Sequence, residues 1–407
     1  MKILILTQYF PPEVGAPQNR LYELAVRLQQ KGADISILTA MPNYPQMAIH
    51  KEYKGKFYDF EDMNGLHVHR TWIYVSKSKS IIKRLINYFS FVKTSFWVGL
   101  FKLSKFDYII CESPPLFLGI TAYALKIIKG AKLIFNVSDL WPESAEKLGL
   151  VNNKFFLKSA TVLEEFLYKK SDLISGQTQG IVQNISSRFP NKKVYWLPNG
   201  VDLNYYKTDT ITTNWRLDNK FSDDDFLLIY AGIIGHAQGL EVILNAANEL
   251  KQHPKIKFII VGSGPEKEML LQLKAKLNTH NVLFFDAVTK KEMPAIIAAA
   301  NVAVIPLKRL DLFKGAIPSK IFENLAMKKP ILLGVEGEAK QLFIDEGNCG
   351  LAFIPEDAND LANQILILFN NQNTLKQLGE NGYQYVEKKF TRDKIANEFW
   401  EFINSNK

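Results

Sequence analysis

Residues 226–261 read FLLIYAGIIGHAQGLEVILNAANELKQHPKIKFIIV, and their pattern is the strongest indication of the fold class. An apolar run, a glycine-rich turn, a helical spacing of apolar residues and a second apolar run follow one another, at 226–231, 232–239, 240–251 and 257–261. The N-terminus repeats this order, at 2–7, 11–15, 18–30 and 34–39. Because strands that alternate with helices form parallel sheets, the sequence predicts an α/β chain of two doubly wound, Rossmann-like domains that face a central cleft.

The length of the chain also indicates two domains. A chain of 407 residues exceeds the size at which one hydrophobic core is usual, so two domains of about 150–200 residues are expected. Pro198 and the pair Asn199-Gly200 place the link after a strand at 194–197. Further strands are expected at 108–111, 132–137, 173–175, 282–285, 302–305, 331–333 and 351–353, and a last helix at 392–403.

Composition and charge narrow the class of protein. Two distant cysteines, Cys111 and Cys349, form neither a disulfide framework nor a zinc spacing, which favours a reducing cytosol. Residues 2–7 are too short for a signal peptide. Residues 1–200 hold 26 Lys+Arg and 15 Asp+Glu (+11), and the rest of the chain holds 24 and 26 (−2), which together give the net charge of +9. The first half is therefore expected to face an anionic partner.

Residues 76–105 suggest what that partner is. The segment has seven basic residues, no acidic residue, and aromatic side chains along an apolar stripe with helical spacing. Such a helix suits the surface of an anionic membrane, although a core helix packed on a sheet explains the stripe equally well. Lys93 interrupts the run, so a transmembrane span is not expected, and nucleic acid is a weaker candidate. The predicted membrane contacts are Lys83, Arg84, Phe89, Phe96, Trp97 and Phe101, and the other basic residues are Lys77, Lys79, Lys93, Lys102 and Lys105.

Residues 317–326, IPSKIFENLA, place a lysine and a glutamate three residues apart on one face of a predicted helix. Free backbone N–H groups at a helix start attract phosphate, and the ammonium of Lys320 would strengthen that attraction. The carboxylate of Glu323, one turn later, could accept both hydroxyl hydrogens of a ribose. The segment could thus hold a nucleotide diphosphate and its sugar, whereas an ordinary helix capped by Ser319 is the alternative.

Glycines follow both predicted strands of the opening stretch. They permit either the close approach of a ligand or a tight turn, and they are Gly232, Gly235, Gly262 and Gly264. Lys267 replaces the third glycine of a dinucleotide fingerprint, which argues against that cofactor. His236, inside the first turn, could donate to a phosphate or a sugar.

Asp139, in the run VSDLWPE at 137–143, follows a buried strand pattern. A carboxylate there could bind an acceptor hydroxyl or stabilise developing positive charge, and it could also cap a helix. Residues 223–225, three aspartates, precede a strand and are expected in a solvated loop. His67 and His69 lack zinc-like neighbours, so we expect them to be structural and expect no metal site.

Eight motifs spread over nearly the whole chain carry a resemblance to a known family. They are Tyr9-Phe10-Pro11-Pro12-Glu13 with Gly15, Ser138–Pro142, Pro198–Asp202, Tyr230–Gly232, Val261–Pro265, Ile305–Leu307, Ile317–Ala326 and Lys329-Pro330. With these motifs the chain resembles glycosyltransferase family 4, which has the two-domain GT-B fold. It is most similar to the subgroup, including acetamido-fucose transferases, that adds a sugar to an undecaprenyl-diphosphate-linked saccharide in bacterial O-antigen, lipopolysaccharide, capsule or exopolysaccharide synthesis.

The resemblance implies retaining transfer from a nucleotide sugar, usually UDP-linked, without an essential metal or other cofactor, at the cytoplasmic face of the bacterial inner membrane. It implies an acceptor domain at 1–200, a donor domain at 201–390, and a helix at 391–407 that crosses back to the first domain. The implied catalytic residues are Asp139, Glu323 and Lys320. Implied acceptor contacts are Arg20, Asp139 and Glu143. Implied donor contacts are Gly15, Gly232, Gly235, His236, Gln238, Gly262, Gly264, Arg309, Ser319, Lys320 and Glu323.

The chain departs from the family pattern in two places. Gly315 stands where the first of two paired glutamates is usual, and Ile233 and Gln238 stand where an arginine and a lysine are usual. Our hypothesis is that Lys320 has taken over the diphosphate. The other candidate cations are Lys308, Arg309 and Lys314.

Two other activities stay open on the same fold. One is a nucleotide-sugar 2-epimerase, which has no need of the basic aromatic segment at 76–105. The other is a non-catalytic nucleotide-sugar-binding membrane protein, against which the presence of both Glu323 and Asp139 argues.

Overall fold

The computed structural model describes residues 1–13, 15–44, 46–78, 80–149, 151–207, 211 and 213–406. Lys79, one of the predicted basic residues, lies outside this part of the chain. The chain forms two compact units. Unit 1 contains residues 1–198 and 392–407, and unit 2 contains residues 199–391.

Unit 1 is built around an eight-stranded sheet with helices on both faces. Its elements before the link are β1 Lys2–Leu6, α1 Ala16–Gln30, β2 Asp34–Ala40, β3 Tyr58–Met63, β4 Leu66–Thr71, α2 Ile81–Lys102, β5 Tyr108–Ser113, α3 Leu118–Lys129, β6 Lys132–Val137, α4 Glu143–Lys147, α5 Lys154–Lys170, β7 Leu173–Gly176, α6 Gln179–Arg188 and β8 Val194–Trp196.

The strand order of unit 1 is β3-β4-β2-β1-β5-β6-β7-β8. All neighbouring pairs are parallel except β3 with β4, in which Tyr58 pairs with Thr71. The purely parallel sheet predicted for this half is therefore wrong at one edge. The order reverses at β1, which lies between β2 and β5, so the switch point of the sheet lies between β1 and β5.

Unit 2 has a six-stranded, wholly parallel sheet in the order β11-β10-β9-β12-β13-β14. Its switch point lies between β9 and β12. The elements are α7 Trp215–Asp218, β9 Phe226–Ala231, α8 Glu241–Glu249, β10 Ile256–Val261, α9 Lys267–Leu277, β11 Val282–Phe285, α10 Met293–Ala299, β12 Val302–Pro306, α11 Lys320–Ala326, β13 Ile331–Gly334, α12 Glu338–Lys340, β14 Gly350–Ala352, α13 Ala358–Asn370 and α14 Gln372–Lys389.

The last helix, α15 Arg392–Asn404, packs on α1 in unit 1. Its buried side chains Ile395, Phe399 and Ile403 join the core formed by α1 and the first strands. Arg27 of α1 forms an ion pair with Asp393, at 2.7 Å. Burial of this apolar face accounts for the docking of the helix.

Candidate functional site

The switch point of unit 2 brings together two loops that follow neighbouring strands. Residues 232–239 follow β9, and residues 307–319 follow β12. The backbone N–H of Lys308 donates to the carbonyl of Ala237, at 3.0 Å, and joins the two loops. Ligands of doubly wound sheets bind at this position, outside the carboxyl ends of the strands.

Lys320 reaches this loop from the first turn of α11. Its ammonium lies 3.2 Å from the hydroxyl of Tyr230 and 4.3 Å from the centre of that ring. A Cβ atom on Gly232 would lie 3.4 Å from Lys320 Nζ, so the bare glycine leaves room for the ammonium. Burial lowers the pKa of Lys320 to about 8, and the negative charge of Glu323 opposes this shift.

Lys308 lies at the opposite end of the same loop. Its ammonium is 3.2 Å from His236 Nδ1, and a Cβ atom on Gly239 would meet its side chain at 3.2 Å. Glu266 lies 3.9 Å from the His236 ring. The loop after β9 is thus flanked by two lysines that come from other segments of the chain.

The other candidate cations have carboxylate partners. Arg309 forms an ion pair with Glu336 at 3.1 Å, and its backbone N–H donates to Glu356. Lys314 pairs with Asp311 at 2.7 Å. With Lys308 and Phe313, Arg309 and Lys314 line a small pocket that is open to solvent.

Glu323 and Ser319 lie beside Lys320 at the start of α11. Glu323 is half-buried. The Ser319 side chain does not cap this seven-residue helix, since its hydroxyl accepts no capping hydrogen bond. The alternative of an ordinary serine-capped helix is therefore wrong. Because the helix is short, the positive charge here comes mainly from Lys320.

Gly262 and Gly264 let two loops touch. A Cβ atom on Gly262 would lie 1.9 Å from the carbonyl oxygen of Gly232, and one on Gly264 would lie 2.2 Å from that of Ile234. Ile234 also donates its N–H to Ser263 at 2.9 Å. The loop after β9 is therefore fixed by the loop after β10, whether or not a ligand is bound.

Gly235 and Gln238 complete this loop. Gly235 has a φ of −120°, which any residue can adopt. The Gln238 side-chain oxygen lies 2.9 Å from where a Cβ atom on Gly235 would be. Their predicted contacts with a donor remain predictions.

In unit 1, Asp139 lies just beyond the carboxyl end of β6. Its carboxylate accepts a hydrogen bond from the Ser144 hydroxyl at 2.7 Å, and Ser144 belongs to the short helix α4. Burial raises the pKa of Asp139, while the Ser144 hydrogen bond opposes this shift. Glu143, on α4, pairs with Lys147 at 2.6 Å and is more exposed.

Arg20 is buried and lies behind Asp139. Its guanidinium forms an ion pair with Glu112 at 2.5 Å and donates to the Ser138 hydroxyl at 2.7 Å. Asn136 also donates to Glu112. Arg20 therefore holds the residue next to Asp139. Glu112 was not predicted, although a charged residue at the end of an apolar strand was a signal for it.

The loop after β1 is closed by Glu13. This buried carboxylate accepts backbone N–H groups from Phe10, Asn43 and Tyr44, at 3.2, 2.8 and 2.8 Å. Gly15, predicted to approach phosphates, precedes α1, and a Cβ atom there would lie 2.4 Å from the Gln18 side-chain oxygen. Glu13 was recognised only as part of a sequence motif, and its role in closing the loop was not predicted.

The predicted membrane segment forms α2, as expected. Lys83, Arg84, Phe89, Trp97 and Phe101 are exposed, whereas Phe96 is half-buried against the core. Phe91 and Val98, on the opposite face, are buried. The interpretation as a core helix therefore holds for the buried face, and the membrane contact of the exposed face stays a prediction. None of the helices is long and apolar enough to cross a membrane, as far as the described residues show.

Two of the remaining predictions concerned metals. Within residues 1–406, apart from the gaps given above, no group of three or more His, Cys, Asp or Glu side chains could hold a metal ion. His69 is buried in β4 and hydrogen-bonds the Tyr58 hydroxyl at 2.9 Å. Asp224, in the predicted solvated loop, is exposed and pairs with Lys255.

Two family models match the chain, one for each unit. Residues 15–200 match a glycosyl transferase 4-like domain, and residues 212–385 match the glycosyl transferases group 1 family. The chain belongs to the glycosyltransferases. This confirms the wider family predicted from the motifs, whereas the acetamido-fucose subgroup is not tested by these matches.

A curated relative and two solved structures extend these matches. The chain is 25% identical over 410 residues, 98% of each protein, to a putative colanic acid biosynthesis glycosyl transferase, WcaI, of Escherichia coli K12. Its fold is similar to that of sucrose-phosphate synthase from Thermosynechococcus elongatus, with a TM-score of 0.77, 16% identity, and coverage of 99% and 98%. It is also similar to Anabaena HepE in complex with UDP-glucose, with a TM-score of 0.73, 17% identity and full coverage of both chains. The predicted GT-B fold is confirmed.

Proposed function

We propose that this glycosyltransferase moves a sugar from a UDP-sugar to a polyprenyl-diphosphate-linked saccharide, with retention of configuration, in bacterial surface-polysaccharide synthesis. The lysine pair at the switch point of unit 2 carries the proposal. Lys320 and Lys308 lie at the two ends of one glycine-rich loop, an arrangement that suits a ligand with two phosphate groups. The UDP-glucose bound to HepE and the similarity to WcaI support the donor and the pathway class.

The proposed reaction needs charge stabilisation more than a protein nucleophile. The bond between the sugar C1 and the diphosphate oxygen breaks, and a bond forms between C1 and an acceptor hydroxyl oxygen. The hydroxyl proton passes to the departing phosphate. Lys320 and Lys308 stabilise the leaving diphosphate, and Glu323 binds the ribose hydroxyls. Since lysines supply the positive charge, we expect EDTA to leave the activity unchanged.

The acceptor belongs to unit 1 in this proposal. Asp139 binds the acceptor hydroxyl, Glu143 contacts the acceptor saccharide from α4, and Arg20 positions Asp139 through Ser138. Lys83, Arg84 and the exposed aromatic residues of α2 hold the enzyme on the anionic cytoplasmic face of the inner membrane.

The deciding experiment measures UDP release from a panel of UDP- and GDP-sugars, with and without detergent-solubilised undecaprenyl-diphosphate N-acetylhexosamine. We expect release from one UDP-sugar that depends on the lipid acceptor and is abolished by Asp139→Asn. NMR of the product would show whether the anomeric configuration is retained. Release that ignores the lipid would contradict the proposal and would favour hydrolysis or 2-epimerisation. Nucleotide binding without any release would favour a non-catalytic binder.

A further inference from the structure

Three helices of unit 1 lie side by side over the same face of its sheet. Phe91 of α2, Ala122 of α3 and Ala160 of α5 belong to one buried core. Helix α3 packs against both α2 and α5. Glycines close both contacts, since a Cβ atom on Gly99 would lie 2.6 Å from Leu125 and one on Gly119 would lie 2.4 Å from Leu167. The helices therefore form a closely packed layer.

The outer side of this layer is apolar along all three helices, and we call it the three-helix face. It continues well beyond the segment 76–105 that the sequence singled out. The most exposed of its side chains is Phe155 on α5, at 82%, and Val162 follows two turns later, at 62%. Soluble proteins seldom leave so many large apolar side chains together in water. Two examples from each helix are Ile86 and Trp97, Ile120 and Ile127, and Phe155 and Val162.

The charges on these helices are strongly one-sided. Neither α2 nor α3 contains a carboxylate, and Glu164 and Glu165 of α5 are paired with Arg188 and Lys169. Exposed cations lie on α2 and α5 together with the apolar side chains, namely Lys83, Arg84, Lys93, Lys102, Lys154 and Lys158. An apolar surface whose helices carry these cations complements an anionic bilayer, whereas two copies of the face would repel each other.

Aromatic rings connect the three-helix face to the loop that carries Asp139. Phe117, at the start of α3, lies 4.8 Å from the ring of the exposed Phe89 on α2. It also lies 5.4 Å from Trp141 and 6.2 Å from Phe156 of α5. Phe117 is buried, and Trp141 is two residues from Asp139, so a series of aromatic contacts runs from the three-helix face to the loop of the proposed acceptor site.

We infer that the three-helix face docks on an anionic lipid bilayer, with α3 and α5 entering the interface beside α2. The exposed Phe89 and the half-buried Trp141 and Phe156, which pack on the buried ring of Phe117, then line the path along which the hydrocarbon of a membrane-embedded acceptor extends from the saccharide at Asp139 to the bilayer. The path depends on the proposed function, because only a lipid-linked acceptor needs it. The docking of the face extends the membrane contact proposed for α2, and it needs no lipid-linked acceptor.

The test uses variants on α5, because α5 lies outside the predicted segment. Wild-type protein and the double variant Phe155→Ser/Val162→Ser are floated with vesicles of phosphatidylethanolamine and phosphatidylglycerol (3:1), and with neutral phosphatidylcholine vesicles. Leu217→Ser, which changes a 76% exposed leucine in unit 2, is the matched control. We expect the double variant to lose at least about tenfold in partitioning into the anionic vesicles, and the control to lose nothing.

A second variant separates charge from apolar burial. Lys154→Ser/Lys158→Ser should weaken binding to the anionic vesicles and reduce its dependence on salt. Wild-type partitioning by both double variants would overturn the inference. A wild-type dimer that Phe155→Ser/Val162→Ser converts to a monomer would also overturn it, since a second copy would then cover the face. UDP affinity measured on the wild type and the two double variants reports separately on the proposed function, because these variants leave unit 2 unchanged.

Discussion

The loops that follow the first strand of each unit are equivalent in topology but opposite in construction. The loop after β1 is held by a buried carboxylate, Glu13, which accepts three backbone N–H groups. The loop after β9 is held by backbone contacts with Gly262 and Gly264 and is flanked by two lysines. At this position in a doubly wound sheet, the loop can therefore be held by a carboxylate of the protein itself, as in unit 1. It can also have cations beside it that could bind an anionic ligand, as in unit 2. The second kind of loop is the one suited to a diphosphate.

The largest expected effect comes from breaking the glycine contact in unit 2. Gly262 has a φ of +154°, and a Cβ atom there would lie 1.9 Å from the Gly232 carbonyl oxygen. We expect Gly262→Ala to destabilise the fold by about 4 kcal/mol, and chemical denaturation would measure this loss.

Gly55→Ala is the matched control for this change. Gly55 also has a positive φ, +78°, but an added Cβ atom would meet nothing within 4 Å. Its cost should be only about 1–2 kcal/mol, the strain of the positive φ alone. Equal losses at the two positions would show that the contact between the loops contributes nothing.

Removing the Glu13 carboxylate, which holds the loop after β1, should have the next largest effect on stability. Glu13→Ala leaves three backbone N–H groups without their acceptor in a buried loop, and we expect a loss of about 3 kcal/mol in unfolding free energy. Glu52→Ala changes an exposed glutamate of the same unit and should cost less than about 0.5 kcal/mol. At a temperature where Glu13→Ala is folded, its UDP affinity should equal that of the wild type. The loop held by Glu13 belongs to unit 1, whereas the proposed UDP site belongs to unit 2.

Removing a lysine ammonium beside the loop after β9 should weaken the binding of UDP and leave the fold unchanged. We expect Lys320→Ala to weaken UDP binding about 100-fold, since a charge-assisted contact with the diphosphate is lost. Lys308→Ala should weaken it about tenfold, because that ammonium is more exposed. Isothermal titration with UDP measures both changes.

Lys314→Ala is the control for these two variants, since Lys314 is an exposed lysine already paired with Asp311. It should change the dissociation constant by less than about twofold. If Lys320→Ala behaves like this control, Lys320 has not taken over the diphosphate.

Much of the fold was predictable because its strands are buried apolar runs. The strands 132–137, 226–231 and 282–285 have the predicted bounds, and most others differ by one or two residues. The antiparallel strand β3 was missed because it lies at an edge, where Asp59, Glu61 and Asp62 obscure any apolar alternation.

The candidate site was predictable only where its residues are close in sequence. The spacing of Lys320 and Glu323 on one helix made them candidates. The position of Lys308 against His236, 72 residues away, results from the pairing of β9 with β12. The ion pair of Arg20 with Glu112, 92 residues away, likewise depends on the sheet order. No local pattern reveals contacts of this kind.

The smallest expected effect concerns the protonation of Lys320. Its pKa is lowered to about 8 by burial, so the ammonium is charged below that pH and neutral above it. UDP affinity should therefore be constant below pH about 8 and fall as the pH rises through that value. In Lys320→Ala this decline should disappear, whereas in Lys314→Ala it should persist.

Tyr230→Phe tests how one hydrogen bond affects the pKa of Lys320. The Lys320 ammonium donates to the Tyr230 hydroxyl, which in turn donates to the carbonyl of Ile233 at 2.6 Å. Without the Tyr230 hydroxyl, the charged form of Lys320 loses a hydrogen-bond acceptor. Glu323 still favours the charged form, and the aromatic ring still lies next to the ammonium. The decline in UDP affinity should therefore move to lower pH, with a loss of about threefold at pH 7. If UDP affinity depends on pH as in the wild type, the Tyr230 hydroxyl contributes only its hydrogen bond to the Ile233 carbonyl. The Tyr230 ring and Glu323 would then be what favours the charged form of Lys320.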